Sequence, residues 1–175
     1  LLYVVVIFSW LALGVTIFSQ EILRLLTTPE FYGAATVIPL LALSYVAFAT
    51  TQVTTLGMSI ARKTSMIAVG AGAAAGVNIL GNLLLIPTWG MIGAAWSTLI
   101  AYLLLTFFYG LLSGRSLPCP WPWQKLGLVS LLAISLIIGA GYLPNGWAWQ
   151  PLLLSMSYWL LFPLGLWLLR ILGRS

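Results

Sequence analysis

The sequence predicts an all-α protein, a polytopic transmembrane helix bundle of about six helices, and three observations carry that expectation. Only nine of the 175 residues are charged, seven Lys or Arg and two Asp or Glu. Hydrophobic residues make up 62% of the chain and the mean hydropathy is +1.10, more apolar surface than a water-soluble domain can hide. The apolar stretches run on for about 20 residues, the length of one helical crossing, whereas strands of a membrane barrel alternate over about ten. Six crossings with short connections use up the chain.

The first segment runs from about Leu1 to Phe18, and the helical spacing of Glu21, Arg24 and Leu25 carries it on through Leu26. Glu21 and Arg24, three apart, are placed to pair at a helix end; a carboxylate coupled to ion transport is the other reading of Glu21. Thr27, Thr28 and Pro29 break the helix, and Glu30, Phe31, Tyr32 and Gly33 make a polar and aromatic turn at headgroup depth. The second segment, about Ala35 to Ile60, takes Pro39 in its first turn, where a missing N–H costs little. Its later half is rich in threonine around Gln52, which suits a helix lining an interior or threonines bonded back to their own helix.

Arg62 and Lys63 close that segment. The third, about Ser65 to Ile86, contains GAAAG at Gly72 to Gly76, a small-xxx-small face that lets a second helix approach closely. The fourth, about Met91 to Leu112, opens on Gly93, Ala94, Ala95, Ser97 and Thr98, and a four-residue turn, Pro87 to Gly90, is expected between the two. Asn78 and Asn82, four apart, share one face of an apolar helix, so they meet another helix, a cavity or a polar substrate.

From Ser113 to Gln124 three prolines and two tryptophans mark a connection that hugs the membrane. Two further segments, about Leu126 to Leu143 and about Trp149 to Leu169, follow around a turn at Pro144, Asn145 and Gly146. They are expected to be peripheral, the second kinked at Pro163. The expected organisation is therefore a four-helix part over residues 1–112, a cytoplasmic Pro/Trp-rich connection over 113–125, and two additional helices over 126–175. Arg62, Lys63, Arg115, Lys125, Arg170 and Arg174 fall after even-numbered segments and Arg24 alone after an odd one, which puts both ends on the cytoplasmic side.

The inventory argues against catalysis. There is no His, no carboxylate pair within a segment, no Gly-rich loop ending in Lys-Ser/Thr and one cysteine, Cys119. No enzyme activity, cofactor or metal is expected. The basic residues are scattered between apolar segments and form no patch for nucleic acid. The opening LLYVVVIFSW has no initiator Met, basic start or cleavage site, so it reads as a continuation and the chain as the C-terminal part of a longer transporter-like protein.

The succession EILRLLTTPEFYGAATVIPLLALSY (Glu21 to Tyr45), the Gln52 region, IARKT (Ile60 to Thr64) and NILGNLLLIPTWGMIGAAWSTLIAY (Asn78 to Tyr102) resembles the C-terminal half of bacterial polysaccharide flippases. These are the O-antigen and exopolysaccharide transporters of the multidrug/oligosaccharidyl-lipid/polysaccharide superfamily. The resemblance covers about Glu21 to Tyr102 and is most specific in the last stretch; from Leu126 onward it carries no signature. It implies the C-terminal lobe of a two-lobed transporter in the bacterial inner membrane, which moves undecaprenyl-diphosphate-linked oligosaccharide by alternating access. Implied partners are membrane lipid, that glycolipid, the N-terminal lobe of the same protein and a polysaccharide polymerase.

On this reading Arg62 and Lys63 attract the diphosphate at the cytoplasmic mouth, and Gln52, Thr55, Asn78 and Asn82 offer hydrogen bonds to sugar. The alternatives are topogenic anchoring for the basic pair and helix–helix hydrogen bonding for the asparagines. Two other functions stay open: a lipid-linked peptidoglycan precursor flippase or multidrug exporter of the same superfamily, and a non-transporting membrane scaffold of a glycan-assembly complex.

Overall fold

Long apolar segments can satisfy their backbone polar groups internally only as helices, and every regular element described is helical. The computed structural model describes residues 1–60, 62–116, 123–141 and 149–168. In chain order it gives α1 (Leu2–Ile17), α2 (Ser19–Leu26), a 3-10 turn (Pro29–Thr36), α3 (Ile38–Ile60), α4 (Thr64–Ser116), α5 (Trp123–Ala140) and α6 (Trp149–Leu168). The chain is all-α over these residues, but its elements are not the expected six, for two physical reasons.

The first segment does not run straight through Leu26. Phe18 leaves helical geometry (φ −92, ψ 15), and α2 departs from α1 at 66°. The bend keeps its backbone bonds, because Phe18 N–H donates to the Gly14 carbonyl and Ile22 N–H to the Phe18 carbonyl. The Phe18 ring stands edge-on to Trp159 at 6.4 Å, a long-range contact made at the bend.

The third and fourth segments are joined in one 53-residue element, α4, interrupted at Gly90 alone (φ 55, ψ −132). The expected four-residue turn is thereby corrected. Helix continues through Pro87, Thr88 and Trp89, with the Thr88 hydroxyl donating to the Leu85 carbonyl at 3.1 Å. Only the residue without a Cβ adopts the reversing conformation. Gly90 divides α4 into equal arms, residues 64–89 and 91–116, each about 39 Å long at about 1.5 Å rise per residue.

The arms run antiparallel. Near one end the Tyr109 hydroxyl donates to the Ile67 carbonyl at 2.6 Å; nearer Gly90, Asn78 reaches Thr98. Beside the reversal Gly93 lies so close to Leu85 that a Cβ there would fall on the Leu85 carbonyl. Gly81 likewise accommodates Ser97, and Gly70 the rings of Phe108 and Tyr109. By contrast, Gly72 and Gly76, the GAAAG pair expected to receive a neighbour, have no atom within 4 Å of where a Cβ would be.

Two compact units result: residues 43–121, with most of α3 and both arms of α4, and residues 2–42 with 122–175. In the first, Met58, Leu105 and Tyr109 form a core flanked by Ile67, Ala74, Tyr102 and Leu112. In the second, α1 packs on α5 and α6, and α5 on α6. The last two helices are therefore not peripheral. Val129, Ala133, Ile137 and Ala140 of α5 recur at helical spacing and are buried, as are Phe162 and Leu166 of α6. The turn expected at Pro144 to Gly146 and the proline-rich run from Leu117 to Pro122 lie outside the described residues.

Side-chain size is distributed inside out. Among the described residues nineteen hydrophobic side chains are buried, seven of them alanine, together with serines and threonines, while forty large hydrophobic ones are exposed. On α1, Ser9, Ala12, Gly14 and Thr16 face inward together with Val5, Leu13 and Ile17, and Tyr3, Ile7, Phe8, Leu11 and Val15 face outward. Of the described helices α3 and α4 are long and apolar enough to cross a membrane, and α1 and α2 reach that length only together.

Candidate functional site

Arg62 and Lys63 occupy the turn between α3 and α4, both exposed. Lys63 N–H donates to the Met58 carbonyl at 2.9 Å and Arg62 N–H to the Ser59 carbonyl at 3.0 Å. Those two bonds are the Schellman pattern, which closes a helix with one residue in the left-handed region, usually glycine. Here that residue is Arg62 (φ 54), a non-glycine conformation that costs roughly 1–2 kcal/mol. The turn thus holds two adjacent cations in a fixed backbone frame.

Asn78 and Asn82 sit in the seam between the arms of α4. Asn78 Nδ2 donates to Thr98 Oγ1 at 3.3 Å and approaches Ser97 Oγ at 3.5 Å, while Ser97 Oγ donates to the Asn78 carbonyl at 2.8 Å. Asn82 Nδ2 donates to Asn78 Oδ1 at 3.2 Å. The asparagine pair is spent chiefly on tying one arm to the other. One acceptor is left over: Asn82 Oδ1 is shielded from solvent and accepts no hydrogen bond.

Gln52 is exposed on α3, and Thr55 is half-buried, its hydroxyl donating to the Gln52 carbonyl at 3.0 Å. Thr50, Thr51 and Thr54 also return their hydroxyls to their own helix. The second arm meets α3 elsewhere: Thr106 Oγ1 donates to the Ala47 carbonyl at 2.9 Å, and the rings of Phe48 and Tyr102 lie 5.0 Å apart.

The six candidates are not gathered into one pocket. Asn78 lies fifteen residues along the first arm from Lys63, about 22 Å at about 1.5 Å per residue. The structure unites Asn78 with Asn82, Gln52 with Thr55, and Arg62 with Lys63, as three stations along the helices. Sequence reasoning missed Thr106 and Tyr109, whose hydroxyls bridge helices. Neither bridge has a local signal, since the partner on the other helix lies more than forty residues away; the Thr106 hydroxyl is also 2.7 Å from the Tyr102 carbonyl of its own helix. Ser97 and Thr98 were legible only as small residues.

Glu21 departs from expectation as well. Arg24 approaches Gln20 Oε1 at 3.5 Å, and Glu21 Oε2 is shielded from solvent with no hydrogen-bond partner, so the expected Glu21–Arg24 pair is not made. Gln20, one turn before Arg24, takes the place expected for Glu21. No group of three or more His, Cys, Asp or Glu able to hold a metal occurs among the described residues. Set against protein-family models, characterised proteins and solved structures, the chain gives no match in any of the three comparisons.

Proposed function

We propose that this chain is embedded in a membrane and forms the C-terminal lobe of a flippase for lipid-linked oligosaccharide. The observation that supports a bilayer is the inside-out distribution of side-chain size. Large aliphatic and aromatic groups face outward over every long helix, and alanine, serine, threonine and several close-packed glycines share the seams with a smaller set of large buried side chains. Lipid tails are as apolar as leucine, so helices in a bilayer associate through small residues and interhelical hydrogen bonds; water would penalise the same surface. The cargo rests on the resemblance of Glu21 to Tyr102 to bacterial polysaccharide flippases.

In this reading a sugar diphosphate, too polar for hydrocarbon, is drawn to the paired cations at Arg62 and Lys63, and the tail stays among the lipids. Gln52, Thr55 and the shielded, unfilled Asn82 acceptor would serve it in a conformation where the helices have separated. The test replaces Arg62 and Lys63 by Gln in the full-length protein and measures periplasmic arrival of the glycan. Export falling at least tenfold at equal protein level is expected; unchanged export removes the pair from the mechanism. Arg62→Gly in parallel relaxes the left-handed turn while deleting its charge, separating backbone from electrostatic effects.

A scaffold reading is favoured by one observation, that the asparagines bond within the hairpin and the six candidates do not converge. Glycan accumulating on the cytoplasmic face of a deletion strain supports transport, and loss of the assembly complex without such accumulation supports scaffolding.

A further inference from the structure

The short helix α2 is amphipathic with its apolar side turned outward. Gln20, Glu21 and Arg24 fall on one arc, Ile22, Leu25 and Leu26 on the opposite one. Gln20 and Glu21 are half-buried, whereas Leu25 and Leu26 are 72% and 74% exposed. A helix resting on a water-soluble protein has the reverse arrangement. The 3-10 turn packs on α2 and adds the exposed Phe31.

Two further observations fix the direction of this segment. It leaves α1 at 66°; α1 is short of a full crossing by itself, and with α1 at the usual tilt of about 20° the segment runs roughly 46–86° from the membrane normal, more along the plane than through it. It is also stopped: Thr27 is extended, its hydroxyl donates to the Leu23 carbonyl at 2.6 Å, and Pro29 opens the next turn, so the helix cannot run on into the bilayer.

We propose that α2 and the 3-10 turn form an interfacial anchor lying in the headgroup layer, with Ile22, Leu25, Leu26 and Phe31 dipped into the acyl boundary. The proposal rests on the membrane reading. The partner is the apolar layer of a bilayer and not its charge, since the segment carries Glu21, Glu30 and Arg24, one more negative than positive. Depth is set by side-chain insertion, as in amphipathic helices that lie about 5–10 Å into the boundary.

The test uses the intact protein, with Cys119→Ser, in vesicles of phosphatidylcholine alone. Spin labels go on single cysteines at Ile22, Leu25, Leu26, Phe31 and Arg24, and at Ile7 as a lipid-facing reference on α1. Expected are one common depth for Ile22, Leu25 and Leu26, a water-accessible label at Arg24, and Ile7 roughly 15 Å deeper by the helical rise. Depth changing by about 1.5 Å per residue from Ile22 to Leu26, the rise of a helix along the normal, overturns the anchor in favour of a bent span. Leu25 and Leu26 labels shielded from both lipid and water overturn it in favour of a covering protein segment. An Ile7 label out of lipid overturns the membrane reading itself, and the anchor with it.

Discussion

The two compact units hold their helices together by opposite means. In residues 43–121 the arms of α4 are neighbours in sequence, and their seam is made of glycines and amide–hydroxyl bonds that let backbones approach. In the other unit, α1 must find α5 and α6 more than a hundred residues later, and the seam is aromatic. Trp10 and Trp159 stack at 4.6 Å with 9° between planes, Trp159 Nε1–H donates to the Trp10 carbonyl at 3.0 Å, and the Tyr158 hydroxyl donates to the Leu136 carbonyl at 3.1 Å. A hairpin needs only permission to close, whereas partners remote in sequence need large groups that select one another.

Gly93→Val is the most severe way to break this contrast. Its side chain would fall on the Leu85 carbonyl, part of the backbone, which cannot swing aside, so a loss of about 3 kcal/mol or more is expected. Unfolding in detergent micelles measures it, and a cost near zero would mean that the arms do not close so tightly.

Trp159→Ala comes next. It removes a stack, an edge contact with Phe18 and a hydrogen bond, for which about 2–3 kcal/mol is expected on the membrane reading, below the 3–5 usual for aqueous cores because lipid would replace water as the alternative surrounding. Trp159→Phe keeps the ring and gives up about 0.6–1 kcal/mol with the hydrogen bond. Equal losses for both variants would show that the ring contributes nothing beyond its N–H.

The smallest effect sharpens the hairpin. Asn78→Leu and Ser97→Ala are each expected to lose about 1 kcal/mol, with a double-mutant coupling of about 0.6 kcal/mol. Additive losses would mean that the clasp is not one unit. Unchanged stability with lost glycan export would return Asn78 to the candidate substrate path.

What the sequence reveals follows the same division. The reversal near Gly90, the stop at Arg62 and Lys63 and the entry of Pro39 into α3 are local, written by glycine, proline and charge where the chain must turn. The bend at Phe18 is not, because FSQEILRLL continues a helical pattern and nothing in it marks a break; the ring that Phe18 meets there, Trp159, is 141 residues away. The burial of α5 and α6 against α1 was hidden for the same reason. GAAAG pointed to the right kind of packing at the wrong glycines, since composition says that a helix can be approached and not from which side. The candidate site was partly legible: Asn78 and Asn82 stood out as amides in an apolar helix, but their hydroxyl partners carry no comparable mark.

Gly90 has one more consequence, which concerns how such a chain is made. Its two equal arms are a matched pair, and no charged residue occurs between Lys63 and Arg115. A pair of that kind can enter a bilayer together, tip first. The tip carries a threonine hydroxyl and an indole N–H and no ion, so no formal charge has to be dragged through hydrocarbon during biosynthesis. On the membrane reading, the cations that flank the pair in sequence, Lys63 and Arg115, would keep its two open ends on one side.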